Sequence, residues 1–133
     1  MADLALIIED DEDISEIFDQ ALRNAGFDTE VIPDGGQARL RLAEIIPHVV
    51  VLDMHLPGVA GEDLLKQIRS DRRLSRAIVL IATADARMAD LHIGSADFVL
   101  IKPISFNQLR DLTGRLHGYH HESTGKIIGS QGG

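Results

Sequence analysis

The sequence predicts a doubly wound α/β domain built on a parallel sheet, and three observations predict it. Short apolar runs alternate with helix-length segments from residue 4 to residue 117. The runs are apolar throughout rather than alternating, which marks strands covered on both faces. Four of them stop at polar residues: 4–8 at Glu9-Asp10-Asp11, 49–52 at Asp53, 78–82 at Thr83, and 98–101 at Lys102-Pro103. In open parallel sheets, ligands bind outside the carboxyl ends of the strands, so these four ends converge on one pocket.

The elements follow in order. Residues 4–8 form the first strand. Ile14, Ile17, Phe18, Ala21, Leu22 and Ala25 repeat in steps of three and four, the signature of an amphipathic helix. Asp13 is placed as its N-cap with Glu16 as capping-box partner, and Gly26 as its stop. Residues 27–32, of mixed polarity, predict an edge strand. Pro33-Asp34-Gly35-Gly36 is a turn, and Ala38, Leu40, Leu42, Ile45 and Ile46 predict a second helix closed before Pro47. Residues 49–52 predict the most buried strand. A loop over 54–61 centres on Pro57-Gly58, and Leu64, Leu65 and Ile68 predict the third helix.

A polar connection over 71–76 leads to the fourth strand, 77–82. Residues 86–93 predict a short fourth helix, and 98–101 the fifth strand. Ser105, with Gln108 three residues on, opens a last helix striped by Leu109, Leu112 and Leu116. From Gly118 the chain turns polar and glycine-rich. The expected organisation is one domain over 1–117 and a disordered tail over 118–133, too short for an output domain. Right-handed crossovers restrict the topology sharply, and a flavodoxin-like (βα)5 fold with strand order 2-1-3-4-5 is expected. That order sets strands one and three side by side and brings Glu9, Asp10 and Asp53 to one mouth.

Bulk composition bounds the function. A chain of 133 residues with 44% hydrophobic and 26% charged residues suits a single globular domain. It has no cysteine, so disulfides and thiolate metal sites are excluded. Thirteen basic against 21 acidic residues, a net charge of -8, argue against nucleic acid as a partner of this chain. No run reaches membrane-spanning length and Met1-Ala2-Asp3 lacks a basic leader, so a cytoplasmic protein without membrane contact is expected. His48, His92, His117, His120 and His121 read as surface or helix-end residues, and Met54 and Met88 as packing residues.

The convergent residues suggest a chemistry. Clustered carboxylates repel one another and raise a pKa unless a cation intervenes. Mg²⁺ suits the set, because it takes one or two carboxylates and keeps room for phosphate oxygens. A carboxylate can act as nucleophile and become an acyl phosphate. Thr83 offers a hydroxyl to a phosphoryl oxygen and Lys102 a compact positive charge.

Taken together, Glu9-Asp10, Asp53 with the loop Met54-His55-Leu56-Pro57-Gly58-Val59-Ala60-Gly61, Thr83-Ala84 and Lys102-Pro103 resemble the response-regulator receiver domains of two-component signalling. Asp34-Gly35 also suits that family, and the likeness spans residues 4–117. The resemblance implies a phosphoacceptor role for Asp53. It implies Mg²⁺ on Asp10, Asp53 and the backbone carbonyl of His55, with Glu9 acting through water. It implies Thr83 as the switch hydroxyl, Lys102 as the phosphoryl partner, and a cis peptide bond before Pro103. The donor would be a sensor histidine kinase or a histidine phosphotransfer protein, and the output a change in contacts with a downstream protein. The chain would be a signalling module rather than an enzyme.

Two features depart from the family pattern. Val99 stands three residues before Lys102, where many receivers carry an aromatic switch, and Phe98 precedes it. The stretch from Thr83 to Lys102 is also short by about one helical turn. Both features suit an alternative, a pseudo-receiver that docks partners independently of phosphate. A flavodoxin-like cofactor binder or phosphatase-type enzyme is disfavoured. No glycine-rich loop follows the first strand, and no second carboxylate stands two residues after Asp53.

Overall fold

The computed structural model describes residues 2–87, 95–122 and 127–129. Its elements are β1 (Leu4–Ile8), α1 (Glu12–Asn24), β2 (Asp28–Ile32), α2 (Gly35–Leu42), β3 (Val49–Asp53), α3 (Gly61–Ser70), a 3-10 turn (Arg72–Leu74), β4 (Ile78–Thr83), β5 (Phe98–Ile101), α4 (Phe106–Gly114), β6 (Tyr119–His121) and β7 (Ile127–Gly129). The five-stranded sheet has the order β2-β1-β3-β4-β5, and its four pairings are all parallel. No helix among the described residues is long and apolar enough to cross a membrane.

The central strands β1, β3 and β4 are apolar up to their last residues because helices cover both faces, whereas the edge strand β2 is of mixed polarity. Every residue of β3 and β4 is buried. Leu6, Ile8, Val50, Leu52, Val79 and Ile81 pack on one face with Leu42 of α2 and Leu64 and Ile68 of α3. Ala5, Ile7, Val49, Val51 and Leu80 pack on the other, against Phe18 and Leu22 of α1 and Leu109 of α4. Alternate residues of each strand thus serve opposite layers.

Local details differ from the sequence reading in three places. Asp11, not Asp13, caps α1, its carboxylate accepting from the Ile14 amide at 2.9 Å. Helix formation starts directly after the β1 turn, so both Glu12 and Asp13 lie in the first turn, where their charge suits the helix dipole. Helix α2 stops at Leu42 rather than near Pro47. Leu40 and Ile46 are 68% and 63% exposed, and Ile45 reaches the core from the loop after the helix. The sequence-predicted helix over 86–93 falls largely outside the described residues. Ser105, by contrast, caps α4 as predicted, accepting from the Gln108 amide at 3.0 Å.

The third difference is the segment after Gly118. Where a disordered tail was expected, residues 119–121 and 127–129 pair as an antiparallel hairpin, Tyr119 opposite Gly129 and His121 opposite Ile127. Polar side chains hold it, which is why apolar periodicity could not reveal it. The His121 amide donates to Arg76 O at 3.0 Å. Its imidazole Nδ1 lies 2.7 Å from Asp97 Oδ1, with both side chains at least nine-tenths buried. Asp97 Oδ2 accepts from Arg69 Nη2 at 2.9 Å and from the Val79 amide at 2.8 Å. Ile127 packs against the core layer under α1 and α4. His121 is therefore a buried docking residue rather than a surface histidine.

Phe98 and Val99 take opposite sides of β5. Phe98 packs with the α1–α4 layer and Val99 with the α2–α3 layer. The β4–β5 register runs unbroken from Leu80↔Phe98 to Thr83↔Ile101, so no bulge turns Phe98 toward the face of Val99.

Candidate functional site

Strand register assembles the site. Ile8 pairs with Leu52, so the next residues, Glu9 and Asp53, emerge side by side. Asp53 pairs with Ala82, placing Thr83 one step further along, and Thr83 pairs with Ile101, whose successor is Lys102. The Glu9 amide donates to Ile32 O at 3.1 Å and the Lys102 amide to Thr83 O at 2.7 Å, extending the ladders past the strand ends. Glu9, Asp53 and Thr83 are thus aimed by buried strands, and Lys102 by the partly exposed edge strand β5.

The carboxylate oxygens of Glu9, Asp10 and Asp53 lie within 4.8 Å of one another. Glu9 and Asp53 are 2% and 3% exposed, whereas Asp10 is open to solvent. Lys102 Nζ lies 2.6 Å from Glu9 Oε1 and 3.6 Å from Asp53 Oδ1. Glu9 Oε2 accepts from the Asp11 amide at 3.3 Å, and Asp53 Oδ1 from the His55 amide at 3.0 Å. The Thr83 side chain is fully buried, its Oγ1 accepting from the Asp85 amide at 3.1 Å. The Lys102–Pro103 bond is cis.

Burial, and after it contact with Asp53, raise the Glu9 pKa to about 7 against the opposing hydrogen bond from Lys102. Burial also works to lower the Lys102 pKa, but the hydrogen bond and charge of Glu9, reinforced by Asp53, raise it above its ordinary value. One ammonium among three carboxylates leaves negative charge unbalanced. Three hard oxygen donors, one of them at the rim, fit a divalent cation that retains water.

Glycines set the loop over this site. Gly58 has φ +85°, a conformation that side chains rarely adopt. A Cβ on Gly35 would lie 2.2 Å from Val59 O, and one on Gly61 2.8 Å from Met54 Cα and 2.9 Å from Asp53 O. The Gly35 amide donates to Pro57 O at 3.0 Å, tying the loop to the start of α2. His55 is exposed, and half-buried Asp85 pairs with Arg87 at 3.2 Å.

The family model of the response regulator receiver domain matches residues 5–113. The chain belongs to the response regulator receiver domain family. This receiver is 36% identical to the DNA-binding response regulator MtrA of Mycolicibacterium smegmatis, a match covering 78% of the chain and 46% of that protein. The chain therefore spans about half the length of the curated relatives it matches. Among solved structures, the bacteriophytochrome response regulator RtBRR is 27% identical with a TM-score of 0.76, over 88% of this chain and 79% of that one. The receiver domain of sensor histidine kinase PA1611 from Pseudomonas aeruginosa PAO1, whose structure has a magnesium ion coordinated in its active site cleft, is 22% identical. Its TM-score is 0.76, with 87% and 98% of the two chains covered; it shares the receiver fold.

The fold brings Glu9, Asp10, Asp53 and Lys102 together, and the β4 end adjoins them with Thr83. What sequence reasoning missed is the partner of Lys102. The ammonium sits closer to Glu9 than to Asp53, a choice made by two residues 93 positions apart. It also missed Asp97, whose carboxylate is buried without belonging to any strand-end motif.

Proposed function

We propose that this receiver takes a phosphoryl group onto Asp53 from a phosphohistidine donor, in a two-component or phosphorelay system. The donor class is a sensor histidine kinase or histidine phosphotransfer protein, and the output is a change in contacts with a downstream protein. The observation that carries the reading is the meeting of the Glu9, Asp10 and Asp53 oxygens within 4.8 Å, beside the Lys102 ammonium.

An Asp53 carboxylate oxygen attacks phosphorus, the P–N bond to the donor imidazole breaks, and an acyl phosphate forms on Asp53. Glu9, Asp10, Asp53 and the His55 carbonyl would hold Mg²⁺, which neutralises charge on the moving group when bound. Lys102 exchanges part of its pairing with Glu9 for a phosphoryl oxygen. The Thr83 hydroxyl turns from the Asp85 amide to another phosphoryl oxygen. His55 and Asp85, at the mouth, govern water access and hence the lifetime of the acyl phosphate.

The test is incubation of the full chain with acetyl phosphate and Mg²⁺, read by intact-protein mass. A one-phosphoryl increment that disappears in Asp53→Asn supports the proposal. Absence of any increment in the wild type overturns it in favour of phosphate-independent docking, the reading that Val99 in place of an aromatic favours.

A further inference from the structure

At the opposite end of the sheet lies a depression of about 430 Å³, lined by Asp3, Pro47, His48, Arg73, Arg76 and His120 among others. It is framed by the residues that precede β1, β3 and β4, so it faces away from Asp53. Its remaining wall is β6, which lies beyond the residues 5–113 matched by the receiver model. One wall of the site thus comes from beyond the matched receiver residues, while Arg73 and Arg76 lie within them.

Its charge is unusual for this chain. Two arginines and two histidines line it in a protein of net charge -8. Among the described residues, Arg76 has no carboxylate within 4 Å. Its Nη2 lies 3.3 Å from Nδ1 and 3.4 Å from Nε2 of His120. Near-equal distances to both ring nitrogens place the guanidinium over the ring face rather than in line with one lone pair. Arg73 uses Nη2 on Leu42 O and Asp71 Oδ2, and its Nε and Nη1 make no hydrogen bond among the described residues. Of the acids nearby, Asp3 of the lining is engaged with His117 at 2.8 Å, and Glu122 with the lining residue His120 at 3.2 Å. Guanidinium donors form planar forks that match the oxygens of phosphate. The volume falls within the range of small-ligand pockets.

We propose that this depression is a binding site for a phosphate-class oxyanion, held by Arg76 and Arg73 and walled by His120 of the hairpin. It is independent of the Asp53 chemistry. The hairpin makes the site conditional on the His121–Asp97 docking contact, because that contact seats β6.

The experiment is amide NMR on the full chain without Mg²⁺, titrated with inorganic phosphate at constant ionic strength set by sodium chloride. A parallel arm uses glycerol phosphate, a simple monoester. The expected result is saturable shifts at residues 73–77 and 118–122 that weaken at least tenfold in Arg76→Gln and are unchanged in Asp53→Asn. Tighter binding of the monoester identifies an esterified ligand, and equal binding the free ion. Arg76 is exposed, so Arg76→Gln should keep the wild-type spectrum elsewhere. Shifts no larger than chloride produces, shifts confined to the Asp53 end, or equal affinity in Arg76→Gln would overturn the proposal.

Discussion

Lys102 Nζ sits 2.6 Å from Glu9 Oε1 and 3.6 Å from Asp53 Oδ1, so the resting ammonium is shared unequally between two buried carboxylates. Removing one partner of a buried ion pair leaves the other charge uncompensated. Lys102→Met should lower stability by about 3 kcal/mol at pH 8. The loss should shrink at pH 5, where Glu9 is protonated. Urea denaturation at the two pH values measures this. A loss equal at both would show that Glu9 is not the group left exposed to its neighbours' charge.

Proton and cation compete for Glu9. Its metal-free pKa, raised by burial and then by Asp53 to about 7, stands above the ordinary glutamate value of 4.5. The folded state thus favours the protonated form. That contribution to stability is present below pH 4.5 and is lost as pH rises through about 7. Mg²⁺ requires the ionised form, so its affinity should rise about tenfold from pH 6 to pH 8 and flatten above. Mg²⁺ titrations followed by NMR at these pH values check it, and a pH-independent affinity would remove Glu9 from the site.

His117 gives a second, separable pH effect. Its Nδ1 lies 2.8 Å from Asp3 Oδ2 and its Nε2 2.7 Å from Ala25 O, two acceptors that only the imidazolium can satisfy together. Burial works to lower its pKa, but the Ala25 carbonyl and Asp3 raise it above 6.5. The resulting stability is full below pH 6.5 and is lost as pH rises through the raised value. His117→Phe keeps an aromatic ring against Phe27, whose centroid is 4.1 Å away. That variant should remove the His117 share of the stability lost above pH 6.5 and leave in place the Glu9 share lost through about pH 7.

The loop glycines should be intolerant of even one carbon. Gly35→Ala drives Cβ to 2.2 Å from Val59 O, and Gly61→Ala to 2.9 Å from Asp53 O. Each should cost about 2 kcal/mol or more, and Gly61→Ala should also slow acetyl-phosphate labelling by displacing Asp53. Gly114→Ala is the control, since its Cβ would meet only Ala25 Cβ at 3.8 Å. It should be neutral or slightly stabilising. Thermal unfolding and labelling rates measure all three.

Local chemistry was enough to place five strands, four of the helices around them and the residues at the strand ends, and the expected order 2-1-3-4-5 is the one observed. The reason is that continuous apolar runs, turn glycines and the Ser105 cap act over a few residues, and right-handed crossovers leave little topological choice. Helix boundaries were less legible. Whether Asp11 or Asp13 caps α1 depends on where β1 releases the chain. Leu40 is apolar yet exposed because α2 turns only Gly35, Ala38 and Leu42 inward, and Ile46 lies exposed beyond the helix end.

Tertiary structure decided which partner each charge met. The pairing of Lys102 with Glu9, the Arg69–Asp97–His121 chain and the folding back of β6 and β7 all join residues far apart in sequence. Such contacts carry no periodicity, because a buried charge is held by whichever group the packed chain sets beside it. Asp53 could be read from its own neighbours, whereas Asp97 became recognisable only once the hairpin lay against it.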